Sequence, residues 1–146
     1  EIICSGLSMP HSPRWHAGTL YLHNSGTGEF GHVDFATGAF VPIAFCPGYL
    51  RGLAFLGNVA VVGLSLPRDN KTFSGLALDD ALEQRKMSPR AGLYFIDLAT
   101  GAVMHTIGFE GIVTELYDVA ILPGVRQPAA LGPTSPEVLR TIKVDA

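Results

Sequence analysis

Charge is scarce in this sequence. Asp, Glu, Lys and Arg make up 16% of its 146 residues, and the net charge is −3. The ten basic residues are scattered, with only Arg85 and Lys86 adjacent, so no basic stripe is available for nucleic acid. Cysteine is scarcer still. Cys4 and Cys46 are far apart and follow no metal or redox spacing, so two buried thiols in a reducing, cytoplasmic setting are expected. No apolar run approaches the roughly 20 residues of a membrane-spanning helix. There is one Trp, no H-E-x-x-H pair and no G-x-S-x-G elbow, so the common zinc-protease and serine-hydrolase signatures are absent.

Turn residues are abundant. Seventeen Gly and ten Pro in a chain that is 47% apolar predict short strands joined by many turns. One turn occurs twice. Asp34-Phe35-Ala36-Thr37-Gly38-Ala39-Phe40 returns as Asp97-Leu98-Ala99-Thr100-Gly101-Ala102-Val103, each copy between two apolar runs. Such a pattern predicts a β-hairpin in which Asp caps the turn and Gly takes a positive φ.

Aligning the copies predicts four antiparallel strands, A to D, in each repeat. The first repeat offers 13–16, 19–23, 30–35 and 40–45. The second offers 50–56, 59–64, 92–97 and 103–107. Pro42 places the first D strand at a sheet edge, because proline cannot donate to a ladder. Without an insert of roughly 25 residues, the second copy is about 40 residues long, the length of a propeller blade. The insert, 65–91, carries a helical stretch in which Leu78, Ala81, Leu82 and Arg85 share a face and Asp79 and Asp80 occupy the first turn.

The expected class is therefore all-β: propeller-like four-stranded antiparallel blades, about two of them complete, with flanking strands and one short helical insertion. The blades span about 6–47 and 48–111 within a partial propeller of 1–125, and 126–146 form a C-terminal loop with a candidate closing strand at 138–144. A D strand at 2–4 and a third A strand at 117–122 flank the pair. Propellers close with about four to eight blades. Since the chain begins in mid-blade, further blades of a longer chain, or copies of itself, are the expected partners.

Four blocks resemble a bacterial family of conserved hypothetical proteins, some of them attached to tetratricopeptide repeats. They are Gly6-Leu7-Ser8-Met9-Pro10-His11-Ser12-Pro13-Arg14-Trp15-His16, Leu22-His23-Asn24-Ser25-Gly26-Thr27-Gly28-Glu29, Pro47-Gly48-Tyr49-Leu50-Arg51-Gly52-Leu53-Ala54-Phe55 and Glu115-Leu116-Tyr117-Asp118-Val119-Ala120-Ile121-Leu122-Pro123-Gly124-Val125. The resemblance implies a propeller-like fold and a place in the C-terminal half of longer proteins of unknown function. It implies no catalytic residues.

Blade topology sorts the polar residues. Loops from D to A and from B to C open on one face, and functional residues concentrate on such loops. His11, Ser12, Asn24, Ser25, Glu29, Tyr49, Arg51, Glu115, Tyr117 and Asp118 fall there, with Arg68, Asp69 and Asn70 of the insert. From these, His11, Asn24, Glu29, Tyr49, Arg51, Glu115, Tyr117 and Asp118 are the candidate binding residues. His11 is a general acid/base, a ligand, or a turn residue bonded to backbone. Arg51 clamps a carboxylate or phosphate, or forms a salt bridge to Asp118 or Glu115. His16, His23, His32 and His105 read as strand residues, and Trp15 as packing between blades. The leading function is a binding or scaffold module for a small molecule or protein. No cofactor is expected under it, nor nucleic-acid or membrane partners. The alternative is a lactonase-like hydrolase in which Asn24, Glu115 and Asp118 hold Ca or Mg through oxygen ligands.

Overall fold

The computed structural model describes residues 2–67, 75–128, 130, 132 and 134–136. Strands β1 (Pro10–His16), β2 (Thr19–Asn24), β3 (Glu29–Asp34) and β4 (Ala39–Phe45) form one antiparallel sheet in chain order. Strands β5 (Tyr49–Leu56), β6 (Val59–Ser65), β7 (Ala91–Asp97) and β8 (Val103–Phe109) form a second sheet of the same topology. Helix α1 (Ala77–Arg85) lies between β6 and β7, and a single 3-10 turn covers Ser25–Thr27 between β2 and β3. Two four-stranded meanders that do not close into a barrel are compatible with a partial propeller-like arrangement. Among the described residues, no helix is long and apolar enough to cross a membrane.

Both repeated turns form as their residues dictate. Asp34 Oδ1 accepts the Ala36 N–H at 2.9 Å and Oδ2 accepts the Thr37 hydroxyl at 2.8 Å. Asp97 Oδ1 accepts from Ala99 N, Thr100 N and the Thr100 hydroxyl at 3.0, 2.8 and 2.9 Å. These hydrogen bonds, those from Thr37 and Thr100 first, hold both carboxyls below their ordinary pKa. Gly38 and Gly101 close the turns at φ +69° and +71°.

The core lies between the sheets. Phe30 of the first packs with Leu50, Leu53, Ala60, Val62, Leu64, Tyr94 and Ile96 of the second, and Cys46 joins them from the connection. Burial pushes the Cys46 thiol up to about 12, so it remains a protonated apolar filler. Six of the seven residues of β6 are buried. A strand covered on both faces needs the near-continuous apolar run found there.

Several expected elements differ. Residues 2–4 and 117–122 are not strands. A strand is defined by its ladder, and no second strand pairs with either segment among the described residues. Residues 117–122 still lie against the second sheet, because Gly52 and Gly63 leave room for Asp118 and Val119. Trp15 does not sit between the sheets. It is 64% exposed and meets Phe35 edge-on within its own sheet, while His16 turns inward to stack on Phe55 at 4.2 Å. Cys4 is only half-buried. Pro42 lies on β4, an edge strand as expected. The 138–144 strand and Arg68, Asp69 and Asn70 lie outside the described residues.

Helix α1 buries Leu78 and Leu82. Leu78 packs over Gly28, and the Arg85 guanidinium lies 4.2 Å from the Phe45 ring centre. The insert of the second repeat thus reaches back over the loop face of the first sheet.

Candidate functional site

The site is built from positions that repeat. Tyr21 pairs with His32, two residues before Asp34, and Val61 pairs with Phe95, two residues before Asp97. Tyr21 therefore corresponds to Val61, and four residues on Ser25 corresponds to Ser65. On β1 and β5, the first strand of each sheet, which lie against each other and are the inner strands, Arg14 pairs with Tyr21 and Ala54 with Val61. The same alignment matches Met9 to Tyr49, His11 to Arg51 and Ser12 to Gly52. Residues 115–122 continue the series, since Glu-Leu-Tyr-Asp-Val-Ala-Ile-Leu aligns with Tyr-Leu-Arg-Gly-Leu-Ala-Phe-Leu of β5. Tyr117 then follows His11 and Arg51, and Asp118 follows Ser12 and Gly52.

A bulge re-aims each inner strand. The register of β1 shifts between His11 and Arg14, and that of β5 between Leu50 and Leu53. Within these bulges Ser12 and Gly52 adopt φ +53° and +86°. Bulges of this kind redirect side chains next to sites. Ser12 Oγ accepts the Gly52 N–H at 2.9 Å, and buried His23 donates through Nε2 to the Gly52 carbonyl at 3.1 Å. On its other side, a Cβ added to Gly52 would lie 2.6 Å from the Asp118 backbone. Gly52 is the pivot on which three successive inner segments meet.

Beside this pivot, at the loop face, a cavity of about 60 Å³ opens between the sheets. That volume is well above the roughly 10–15 Å³ needed to hold one water. Its polar lining is His11, Ser25, Tyr49, Arg51, Ser65 and Glu115, and Met9, Leu50 and Leu66 supply apolar wall. Arg51 Nη1 donates to Glu115 Oε1 at 3.2 Å. The guanidinium also lies 5.2 Å from the Tyr117 ring centre. Desolvation, and then the Arg51 charge, lower the His11 pKa, so His11 is neutral at pH 7. Burial, and then Asp79 of α1, raise the Tyr49 phenol, so it keeps its proton. Among the described lining residues, the Arg51 and Glu115 charges oppose each other.

The two matched serines differ in their partners. Ser65 Oγ accepts the Leu116 N–H at 2.9 Å and donates to the Leu116 carbonyl at 3.4 Å. Ser25 is fully buried, and its Oγ has no hydrogen-bond partner among the described residues. Leu50, which corresponds to Leu116, lines the same cavity as Ser25. The second junction is stapled where the first is open.

This architecture has a family. A model for a domain of unknown function, DUF4915, matches residues 1–131. The chain belongs to the DUF4915 family. No curated protein matches it.

In this DUF4915 chain the eight candidate binding residues divide evenly. His11, Tyr49, Arg51 and Glu115 come together at the cavity. Tyr117, 84% exposed, stands just outside it under Arg51. Asn24 is buried and its Oδ1 accepts the Ser8 N–H at 2.7 Å, which holds the loop ahead of β1. Glu29 accepts from the Thr27 hydroxyl at 2.8 Å. Asp118 takes two hydrogen bonds from Arg14 Nη2, at 3.2 and 3.0 Å. The Arg51 salt bridge is made to Glu115, and Asp118 serves a different arginine. Asn24, Glu115 and Asp118, the trio considered for a cation, thus each bond to a different partner. Among the described residues, no three His, Cys, Asp or Glu side chains cluster closely enough to hold a metal ion. The residue that the candidate list omits is Ser25. Its signal is the correspondence with Ser65, which emerges only once the strand registers are known.

Proposed function

We propose that this DUF4915 chain is a propeller-type binding module whose inner-strand cleft receives a small polar molecule. The observation that carries this reading is the convergence of His11, Tyr49, Arg51 and Glu115 on one cleft between the sheets. A largely apolar cleft with a few convergent polar groups is the ordinary form of a small-molecule site. The module reading includes further blades, from a longer chain or from copies of this one. The sequence of matched inner segments β1, β5 and 117–122 supports that part.

The test is ligand-observed NMR with a mixture of monosaccharides, amino acids, short carboxylic acids and nucleosides. Wild type should show saturation transfer to at least one component. Leu66→Trp, which fills the cleft from its rim, and Arg51→Met should abolish it while the circular dichroism melt stays close to wild type. Transfer that is equal in all three proteins, or absent from wild type, would refute the cleft as a site.

A further inference from the structure

We infer that the outward face of the second sheet is a docking surface for a β-hairpin of a partner polypeptide, which pairs with 117–122 and builds a third sheet there. This deepens the part of the proposed function that calls for further blades, and rests on it. The junction between the two sheets shows how such docking is made. There β5 lies against β1, and the Phe55 ring centre is 5.1 Å from that of Tyr21. Behind it, Val62 of β6 and Ile96 of β7 join Phe30 in the core, and Phe30 is fully buried. Phe30 stands four residues before Asp34, as Leu93 stands four before Asp97. Tyr21 and Phe30 therefore correspond to Val61 and Leu93.

Val61 and Leu93 alternate with the core residues Val62 and Tyr94, so they point away from the first sheet. With Phe95 and Met104 they line an apolar groove of about 420 Å³, and Val119 and Ile121 form its other wall. In the alignment Ile121 stands for Phe55, so the inner segment of a covering layer is already seated. Among the described residues the layer stops there. Met104 is 43% exposed, and Ile107, which pairs with Leu93, is 47% exposed. Ala44, which pairs with Phe30 in the same way, is packed against the core. Chemistry selects the occupant. The sequence after Val125 is unsuited, because Pro128, Pro133 and Pro136 would each remove a ladder donor. A folded second copy is unsuited, because its β1 would need the place that 117–122 holds, and its β2 is already paired to that β1. An unpaired hairpin meets both conditions. Its first strand adds antiparallel to 117–122, as β6 adds to β5, and main-chain hydrogen bonds supply the affinity. Its alternate apolar residues then cover Leu93, Met104 and Ile107.

The experiment uses a synthetic peptide of residues 19–38, which carries the sequence of β2, β3 and the turn after them. Titrated into the full 15N-labelled chain, it should shift the amide signals of Phe95, Met104, Val119 and Ile121 to saturation and slow hydrogen exchange at residues 119–121. Met104→Lys and Ile107→Lys replace exposed side chains, so each should leave the melt of the chain itself close to wild type. Each should also weaken the peptide response about tenfold or more, since a lysine ammonium would be buried in the groove. A peptide of the same composition in scrambled order should give no response. No saturable shift, equal shifts with the scrambled peptide, or an unchanged response in both variants would overturn the docking surface. So would a dimer in sedimentation without peptide that Met104→Lys dissociates, because the face would then belong to a second copy. None of these results bears on the cleft, which the mixture screen above judges separately.

Discussion

Gly52→Ala tests the pivot. Gly52 sits at φ +86°, and a Cβ there would lie 2.6 Å from both the Asp118 carbonyl carbon and the Val119 nitrogen. Two separate costs follow. Holding alanine in the left-handed region costs roughly 1–2 kcal/mol. Forcing backbone away from backbone adds about 1–3 kcal/mol, as other overpacked sites do. Gly57 supplies the control, because it has φ +57° and nothing within 4 Å of an added Cβ. Gly57→Ala should therefore show the conformational cost alone. Urea unfolding followed by circular dichroism should place Gly52→Ala about 1–3 kcal/mol below Gly57→Ala with an unchanged m-value. At this chain length that is about 2–4 °C of melting temperature per kcal/mol. Gly52→Ala should also shift the amide signals of residues 118 and 119, which Gly57→Ala should leave in place. Equal costs for the two substitutions would mean that 117–122 does not rest on Gly52, and the alignment of three inner segments would fail with it.

Three further outcomes follow from the same geometry. Burial, the largest of several influences, lowers His23 from 6.5 to about 4, so the unfolded chain binds more protons between those values. Stability is fully present above pH 6.5 and falls as pH drops through about 4, by about 3 kcal/mol in all. Paired urea titrations at pH 7 and pH 5 should find most of this slope missing in His23→Gln. Ser65→Ala should lose about 1–2 kcal/mol with its two hydrogen bonds to Leu116, whereas Ser25→Ala should be neutral or slightly stabilising, because it removes an unsatisfied hydroxyl; thermal melts of the two variants decide. Asp34→Ala and Asp97→Ala should lower the melting temperature and leave ligand binding unchanged, since both turns lie at the strand ends opposite the cleft. Loss of binding in a folded variant of either would contradict that face assignment.

The strands were legible because their ends are marked. Asp-x-Ala-Thr-Gly closes two hairpins and Ala17-Gly18 and Gly57-Asn58 close two more, so element order and topology follow from turn chemistry. Helix α1 was legible from periodicity and its acidic first turn. The direction of Trp15 was not. A bulge at Ser12 interrupts the alternation of β1, and bulges leave little trace in sequence. The 117–122 segment copies β5 in residues yet lacks a ladder, because strand identity depends on a neighbour as well as on propensity. At the site, His11, Tyr49, Arg51 and Glu115 were legible because topology brings the starts of successive inner segments to one face. Asn24 and Glu29 share that face, but hydrogen bonds turn them to Ser8 and Thr27. Ser25 was placed on that face but not among the binding residues, because a serine between Asn24 and Gly26 reads as an ordinary turn residue.

The repeat also explains why the cleft is where it is. Two junctions are built from matched residues, and a matched serine stands at each. At the second, Ser65 reaches the backbone of Leu116 and the segment closes down. At the first, the corresponding backbone belongs to Leu50, which is fully buried and pairs with Leu64 of its own sheet. Leu50 is thereby committed to its ladder, and Ser25 has no segment end to hold. The consequence is a gap with one buried hydroxyl, bordered by the His11–Arg51 position of the inner strands. A molecule bound in the cleft beside that gap would touch residues of both sheets and so join them. Binding and junction stability are then one equilibrium, and any true ligand must raise the melting temperature in proportion to the logarithm of its excess over Kd.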